Sequence, residues 1–506
     1  MSKKPNILLI MADQLAPQFT STYGHPVVKT PNMDKLAAKG ARFDAAYCNS
    51  PLCAPSRFSF MAGQRVTNIA AYDNAAEFPA TVPTFAHYLR SAGYRTCLSG
   101  KMHFVGPDQM HGFEERITTD IYPSDHAWTP DWEQPDERID KWYHNMDSVK
   151  EAGEGVTTFQ IEYDEEVAFA ARRKIFEYAM EKAEPFCMVA SFIHPHDPYV
   201  ARPEWWNLYQ DEDIDMPQKS YDDIADHDPH TKRLMKGIEA DVVDCSDEEI
   251  RNARRAYYAN TSYFDSKVGE LVRTLEEAEL LDNTIVIVTA DHGDMLGERG
   301  LWYKMSFFEH SVRVPLIMAG PGIDPSVIEN ACSLVDLLPT MLDIADTDPE
   351  LGMPIDGRSL WPVATGKPDT GDEAIAEYCA ECASHPIYMI RRGDFKYIHC
   401  DIDPPQLYDI KNDPNEYENL AEHPDYADQA SAFAAEVAKT WNSDEIRENV
   451  IKTQHQRRAV HKAMQEGRLT SWDYQPIRDA SNEYVRNHMD WTVAAERTRF
   501  PPFAKK

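Results

Sequence analysis

The sequence predicts an α/β protein: a large, mostly parallel central sheet flanked by helices, then a smaller α+β region with an antiparallel sheet, then a C-terminal tail. Three observations carry this reading. Short apolar runs rich in Ile and Val alternate with segments of helical periodicity. Those runs are continuously apolar, as in strands buried on both faces. Near residue 375 the pattern changes to the in-out alternation of a hairpin.

The strands are residues 6–11, 94–98, 186–193, 284–289 and 316–319, each an apolar run bounded by polar or turn-forming residues. Between them, residues 82–92, 165–182, 247–281 and 334–345 carry the i, i+3, i+4 spacing of amphipathic helices. Further on, "IYMIRRGDFKYIHC" reads as a hairpin and "QLYDIKNDPNEYENLA" as strand, turn and helix start. The expected organisation is a catalytic region over 1–375, a small domain over 376–440 and an extension over 441–506. That extension is charged, aromatic and poor in strand signals, and we expect it to be an arm reaching another subunit rather than a packed segment.

Composition narrows the function. With 51 Lys+Arg against 84 Asp+Glu, the net charge of -33 repels phosphate backbones and anionic lipid surfaces, which argues against nucleic acid and membrane as partners. The opening "MSKKPNILLIMADQ" turns polar too soon for a signal peptide, and no run approaches the roughly 20 apolar residues of a membrane span. Nine irregularly spaced cysteines do not form a disulfide framework, so reduced thiols and a cytoplasmic location are expected.

Chemistry in open α/β sheets collects beyond the carboxyl ends of strands. Here "NILLIMADQ" ends at Asp13, "CMVASFIHPHDP" at His194, His196 and Asp197, and "TIVIVTADHGD" at Asp291, His292 and Asp294. Asp13 and Asp291, with the carbonyl of Gln14 or the imidazole of His292, make an oxygen-rich set that suits Ca²⁺ or Mg²⁺ better than zinc. Arg57, Lys101, His103, His196 and Lys304 supply cations around it, and in so acidic a chain that combination suits a compact oxyanion such as a phosphate or sulfate ester. In "SPLCAPSRFSF", Pro55 is well placed as the first helical residue, which sets Cys53 beside a helix N-terminus. From the residues alone, Cys53 is either a buried structural thiol or a nucleophile.

The Cys53, Pro55, Arg57 spacing, followed in order by "SGKMH", "HPHDP", "ADHGDMLGERG" and "LYDIKNDPNEYENLA", resembles the type I sulfatases over about residues 5–425. In that family the cysteine is oxidised by a separate maturation enzyme to formylglycine. Within the family, "YDNAAEFPATVPTFAHYL", "GPDQMHGFEERITTDIYPSD", "WTPDW" and "YVRNHMDW" are similar to the choline sulfatase group. The resemblance implies an alkaline-phosphatase-like domain, a smaller C-terminal domain and a tail that joins subunits into a homo-oligomer, a dimer or tetramer. It also implies a Ca²⁺ site, or one for Mg²⁺ or Mn²⁺, formed by Asp13, Gln14, Asp291, His292 and residue 53. Many sulfatases carry two consecutive aspartates and an Asp-Asn pair at these places; the present chain has Gln14 and His292 instead, as choline sulfatases do.

The implied roles follow by motif. A hydrated aldehyde at position 53 offers two geminal hydroxyls, one to attack sulfur and one to let the sulfated residue collapse to aldehyde and sulfate. Arg57 orients that hydrate, His103 assists it, Lys101 and Lys304 hold sulfate oxygens, and His196, supported by His194, protonates the leaving alcohol. Asn74, Trp128, Asn145 and Glu381 wall a pocket for a quaternary ammonium, with Asp490 or Trp491 reaching a neighbour's pocket. The implied substrate is the small-molecule sulfate ester choline-O-sulfate. The rivals are a phosphonate or phosphate ester hydrolase, a sulfatase for another methylated amine or sulfonium alcohol, and a nonhydrolytic metal-dependent binder of sulfate esters if Cys53 stays a thiol.

Overall fold

The computed structural model describes residues 4–135, 144–181, 185–348, 353–368 and 371–466. Its large sheet contains β1 (Asn6–Asp13), β2 (Ala41–Tyr47), β3 (Arg95–Gly100), β4 (Glu115–Arg116), β5 (Phe186–Pro195), β6 (Thr284–Ala290), β7 (Arg313–Ala319), β8 (Ser326–Ile328) and β9 (Cys332–Ser333). The spatial order is β8-β2-β7-β6-β1-β5-β3-β4, with β9 also pairing β2. Every residue of β1, β5 and β6 is buried, which is why these strands read as unbroken apolar runs.

The pairing is parallel except at β7, which runs antiparallel to both β6 and β2. Residues 291–312 stay at the carboxyl end of β6 and enter β7 from that side, so the chain turns back instead of crossing over. Register then aligns the chemistry. Asp13 lies opposite Pro195, and Ala12 lies opposite Ala290, the residue before Asp291. At the end of β3, Gly100 has φ +107°, and a Cβ there would fall 1.9 Å from the Ser191 carbonyl oxygen. Only glycine lets β3 approach β5 closely enough to deliver Lys101.

The main helices are α1 (Cys53–Ala62), α2 (Phe85–Ser91), α3 (Phe159–Glu181), α4 (Asp247–Glu277) and α5 (Leu337–Ile344). A capping box starts α4: Ser246 Oγ accepts from Glu249 N, and Glu249 Oε2 accepts from Ser246 N at 2.7 Å. The expected helix at 334–345 opens with a 3₁₀ turn, Leu334–Asp336, before α5.

A second sheet, β10 (Glu373–Tyr378), β11 (Ile387–Arg392), β12 (Phe395–Cys400) and β13 (Asp403–Asp409), is an antiparallel meander. The hairpin β11–β12 turns at Gly393, φ 58°. After Asp409 no α-helix begins until α6 (Ala427–Thr440), which follows a 3₁₀ turn at Pro424–Tyr426, later than expected. Asn419 Oδ1 accepts from Leu407 N at 2.9 Å, tying the intervening segment to β13 rather than to a helical ladder. Tyr388, Tyr397, Phe433, Val437 and Trp441 fill the core between this sheet and α6.

The expectation of an arm beyond residue 440 is corrected for the described part. There α7 (Ser443–Gln465) packs back, with Val450, Gln454 and Arg457 buried. Residues 467–506, with Asp490 and Trp491, lie outside the described residues. Among the described residues no helix is long and apolar enough to cross a membrane.

Candidate active site

Three parallel strands end at one place. Asp13 closes β1, Asp291 follows β6, and His196 follows β5. Gln14 takes φ 64°, a left-handed conformation uncommon for a residue with a side chain. Its N–H donates to Asp291 Oδ1 at 3.0 Å and its carbonyl accepts from Tyr257 OH at 2.5 Å. Those two bonds turn the chain sharply and leave the Asp13 and Asp291 carboxylates facing each other.

Cys53 completes the cluster. Helix α1 begins at Cys53 itself, with Leu52 as N-cap, so Pro55 is its third residue and not its first. Proline is tolerated there because the first turn's N–H groups need no helical partner. Cys53 Sγ lies 3.3 Å from His292 Nε2 and 3.8 Å from Asp13 Oδ1. Ligand atoms of Asp13, Cys53, Asp291 and His292 all fall within 4.8 Å of one another, and all four residues are buried. His292 Nδ1 is 3.0 Å from the Gly293 carbonyl, an acceptor only, so Nδ1 carries the proton and the Nε2 lone pair faces the cluster.

Two carboxylates and one imidazole suit a divalent cation of the Ca²⁺, Mg²⁺ or Mn²⁺ type. The thiol does not. Burial, reinforced by Asp13, pushes Cys53 up to about 11, so it is protonated near neutrality and both a poor nucleophile and a poor ligand for a hard ion. An oxygen at this position would match the rest of the donor set. Gln14 stands beside the cluster, with its amide oxygen accepting from Lys304 Nζ at 2.6 Å and its amide nitrogen donating to Asp294 Oδ2 at 2.8 Å.

The cationic residues divide by role. Arg57 is fully buried, and it donates to Asp291 Oδ2 at 2.8 Å, to the Lys101 carbonyl at 2.6 Å and to Ser191 Oγ at 2.8 Å, with Asp13 Oδ2 at 3.4 Å. Through these bonds the guanidinium clamps the two carboxylates, with Cys53 among its electrostatic neighbours. Lys101 Nζ binds Asp13 Oδ2 and sits 4.0 Å from the Tyr122 ring centroid. Burial pushes the Asp13 carboxyl up, but Lys101, His196 and Arg57 outweigh it and hold the group well below the usual range.

Lys304 stands between Tyr303 and Met305, both at positive φ, in a loop bent so that its ammonium enters the site. Lys304 Nζ is 2.8 Å from His196 Nε2, whose Nδ1 donates to the Asp197 carbonyl at 2.7 Å. His103 is 1% exposed, and neither ring nitrogen has a hydrogen-bond partner among the described residues. Burial and the neighbouring Lys101 push it down to about 3, so the imidazole is neutral. His194 is set back, with Nδ1 2.6 Å from Asp164 Oδ2.

Of the expected pocket residues, Asn74 and Trp128 reach the site's edge directly. Asn74 Oδ1 accepts from Ala54 N at 3.0 Å, at the start of α1. The Trp128 ring meets His103 edge-on at 5.6 Å and Tyr122 at 5.4 Å. Asn145 accepts through its carbonyl from Tyr303 OH, next to Lys304, while its side chain accepts from Asp147 N at 2.8 Å. Glu381 is buried and follows Ala380, whose carbonyl accepts from Trp132 Nε1 at 2.9 Å.

Sequence reasoning named Trp128 and Asn145, both in the stretch 122–145, as pocket walls but did not single out two further residues of it. Tyr122 OH lies 3.4 Å from His196 Nε2, and the His144 ring stacks on Tyr303 at 4.5 Å and lies 5.7 Å from His196. Residues 136–143 of that stretch lie outside the described residues. Asp294 was seen as a strand-end acid, but its pairing with Gln14 and Tyr199 was invisible without coordinates.

Comparison with known proteins places this geometry. Residues 5–347 match the Sulfatase family, residues 297–443 the N-sulphoglucosamine sulphohydrolase C-terminal family, and residues 448–500 the family described as choline sulfatase enzyme C terminal. The chain is similar to a choline-sulfatase of Rhizobium meliloti, 47% identical over 506 residues that cover 98% of this chain and 99% of that one. It is also 28% identical to an N-acetylglucosamine-6-O-sulfatase of Bacteroides thetaiotaomicron, over 84% of each chain. In fold it resembles the crystal structure of a phosphonate monoester hydrolase of Agrobacterium radiobacter, with TM-score 0.69 at 22% identity, over 88% of this chain and 96% of that one.

Proposed function

The chain belongs to the sulfatase family and is a sulfuric ester hydrolase, and from that premise we propose that it cleaves choline-O-sulfate to choline and sulfate. One observation carries the chemistry: Asp13, Cys53, Asp291 and His292 converge within 4.8 Å, with the cysteine on the first turn of α1. The choice of choline rests on the full-length similarity to a choline-sulfatase and on the match of residues 448–500.

In this reading Cys53 is converted to formylglycine by a separate maturation enzyme, and Asp13, Gln14, Asp291, His292 and residue 53 hold Ca²⁺, with Mg²⁺ or Mn²⁺ as alternatives. When both groups are in place, the hydrated aldehyde supplies the oxygen nucleophile and the cation supplies a fixed positive charge that acidifies it and draws the sulfate oxygens. The chain's own residues do the rest. Lys101 and Lys304 present two ammonium groups to the sulfate oxygens. Arg57 keeps both carboxylates in place. His103, neutral and with free ring nitrogens among the described residues, takes up the proton released beside residue 53. His196 has Nδ1 committed to the Asp197 carbonyl, so Nε2, 2.8 Å from the Lys304 ammonium, is the nitrogen that takes a proton from Lys304 and passes it to the departing choline oxygen.

A quaternary ammonium has no N–H to donate and is held by aromatic faces and carboxylate charge. Trp128 and Tyr122 supply the faces, Asn74 and Asn145 shape the pocket, and Glu381 adds charge. Nine cysteines spread over the chain without regular spacing support a reducing, cytoplasmic compartment. The match of the C-terminal segment to choline sulfatases supports a homo-oligomer, dimer or tetramer.

The test is turnover of choline-O-sulfate, p-nitrophenyl sulfate and a phenyl phosphonate ester by matured enzyme, with peptide mass spectrometry across Cys53. Preferred turnover of choline-O-sulfate by protein carrying formylglycine is expected. Preference for the phosphonate would overturn the substrate, and turnover by protein holding only the thiol would overturn the nucleophile.

A further inference from the structure

We propose that Arg457 is a positioning residue for substrate selectivity: helix α7 holds the pocket wall formed by Asn74 and Trp128 through the buried Arg457–Asp73 ion pair. This rests on the choline reading above and assigns the control of that pocket to a segment far from the catalytic motifs.

The pair is bidentate. Arg457 NH1 lies 2.5 Å from Asp73 Oδ1 and NH2 lies 2.7 Å from Asp73 Oδ2, with the side chains 7% and 0% exposed. Two parallel bonds fix direction as well as distance, and burial makes the arrangement costly to leave half-made.

Both walls of the pocket hang from this contact. On one side, Asp73 is followed by Asn74, whose Oδ1 caps the N–H of Ala54, the residue after Cys53, at 3.0 Å. On the other, Asp73 Oδ1 accepts from Ala75 N at 2.9 Å, and the Ala75 carbonyl accepts from His126 Nδ1 at 2.9 Å. The His126 carbonyl accepts from Thr129 Oγ1 at 2.8 Å, and that hydroxyl lies 3.5 Å from Arg457 NH1. Trp128 lies in the chain between His126 and Thr129, the two residues that this ring of bonds ties together. One turn earlier on α7, Gln454 Oε1 accepts from Trp132 N at 3.0 Å and anchors the far end of the same loop.

The division of labour follows the chain. The metal cluster and the cations come from within residues 5–347, whereas Arg457 and Gln454 come from the segment matched separately at 448–500. Neither residue hydrogen-bonds a member of the metal cluster. Loss of the clamp therefore loosens the wall that reads the alcohol while leaving the groups that read the sulfate.

Arg457→Lys and Asp73→Asn test this in the matured full-length enzyme, with kcat/KM measured for choline-O-sulfate and for p-nitrophenyl sulfate. Lysine keeps the charge without the fork, and asparagine keeps the volume without the charge. In both variants the ratio of the two kcat/KM values should fall by about tenfold, with KM for choline-O-sulfate carrying most of the change. A merely structural role lowers both substrates together and leaves the ratio at its wild-type value, which overturns the proposal. A wild type with no preference for choline-O-sulfate sinks the choline reading itself, and the clamp's role with it, before any variant is compared.

Discussion

Replacing Arg57 by Met removes the one guanidinium between two buried carboxylates while keeping most of the side-chain volume. Asp291 Oδ2 loses its 2.8 Å partner and Asp13 Oδ2 its 3.4 Å one, and the Lys101 carbonyl and Ser191 Oγ each lose a donor. Compensation is partial. Asp13 keeps Lys101, and Asp291 Oδ1 keeps the N–H groups of Gln14 and His292 at 3.0 and 2.9 Å. Breaking a buried pair from one side costs about 3–5 kcal/mol, and the retained partners place this case at the lower end, about 3 kcal/mol. With a urea slope of about 3 kcal/mol per molar, the unfolding midpoint falls by about 1 M. The assay is urea unfolding followed by tryptophan fluorescence, with and without saturating Ca²⁺. A cation among the same carboxylates restores the missing positive charge, so the gap between variant and wild type should narrow with Ca²⁺. An unchanged midpoint, or a gap indifferent to the ion, would refute the view that Arg57 acts by holding the metal-binding carboxylates.

Four further outcomes are expected. Cys53→Ala should lower kcat at least about 10⁴-fold on every sulfate ester, and activity near that of wild type would remove residue 53 from the reaction. His196→Asn should cost about 10²–10⁴-fold on choline-O-sulfate but far less on p-nitrophenyl sulfate, whose leaving group needs no proton; equal losses would argue against a general acid. Chelation by EDTA should abolish turnover, with recovery on adding Ca²⁺, Mg²⁺ or Mn²⁺ in an order that identifies the ion, whereas full activity after exhaustive chelation would contradict the metal site. Folded His103 is held down to about 3, below the ordinary 6.5, so stability is lost as pH falls between those values, because the unfolded chain binds a proton that the folded one refuses. From pH 6.5 to 5 that loss is about 1.6 kcal/mol; His103→Gln should remove it, as read by urea midpoints at both pH values, and identical pH dependence in the two proteins would show that His103 is not buried neutral.

Much of the site could be read before any coordinates, because its members sit at strand ends. An apolar run followed by Asp, or by His-Pro-His, is a local pattern, and Asp13, His196, Asp291 and His292 were found that way. Arg57, Lys101 and Lys304 are legible as cations suited to a compact oxyanion, and the ordered motifs give Cys53 its expected role. Arg57 shows the limit of motif reading: the motif sets it four residues after Cys53, whereas its bonds to the Asp13 and Asp291 carboxylates come from the fold. Tyr122 and His144 were missed because one tyrosine or histidine in an aromatic stretch looks like any other until the fold selects it. Within the described residues up to 466, a packed helix stands where an arm was expected, for a related reason. A charged helix with only Val450, Gln454 and Arg457 buried carries almost no hydrophobic stripe, so nothing in its own sequence shows that it packs.

The amino-acid order by itself determined the strands β1, β3, β5, β6 and β7, the helices α2 to α5 and the hairpin β11–β12, and the chemical character of the residues at their ends, since hydrophobic period and turn chemistry depend only on near neighbours. Tertiary structure alone decided that β1, β5 and β6 lie side by side in a register that brings Asp13, His196 and Asp291 to one point, that β7 runs backwards, and that Arg457 closes on Asp73 across 384 positions. These are meetings between distant surfaces, settled by which buried faces and charges satisfy one another once the chain has collapsed.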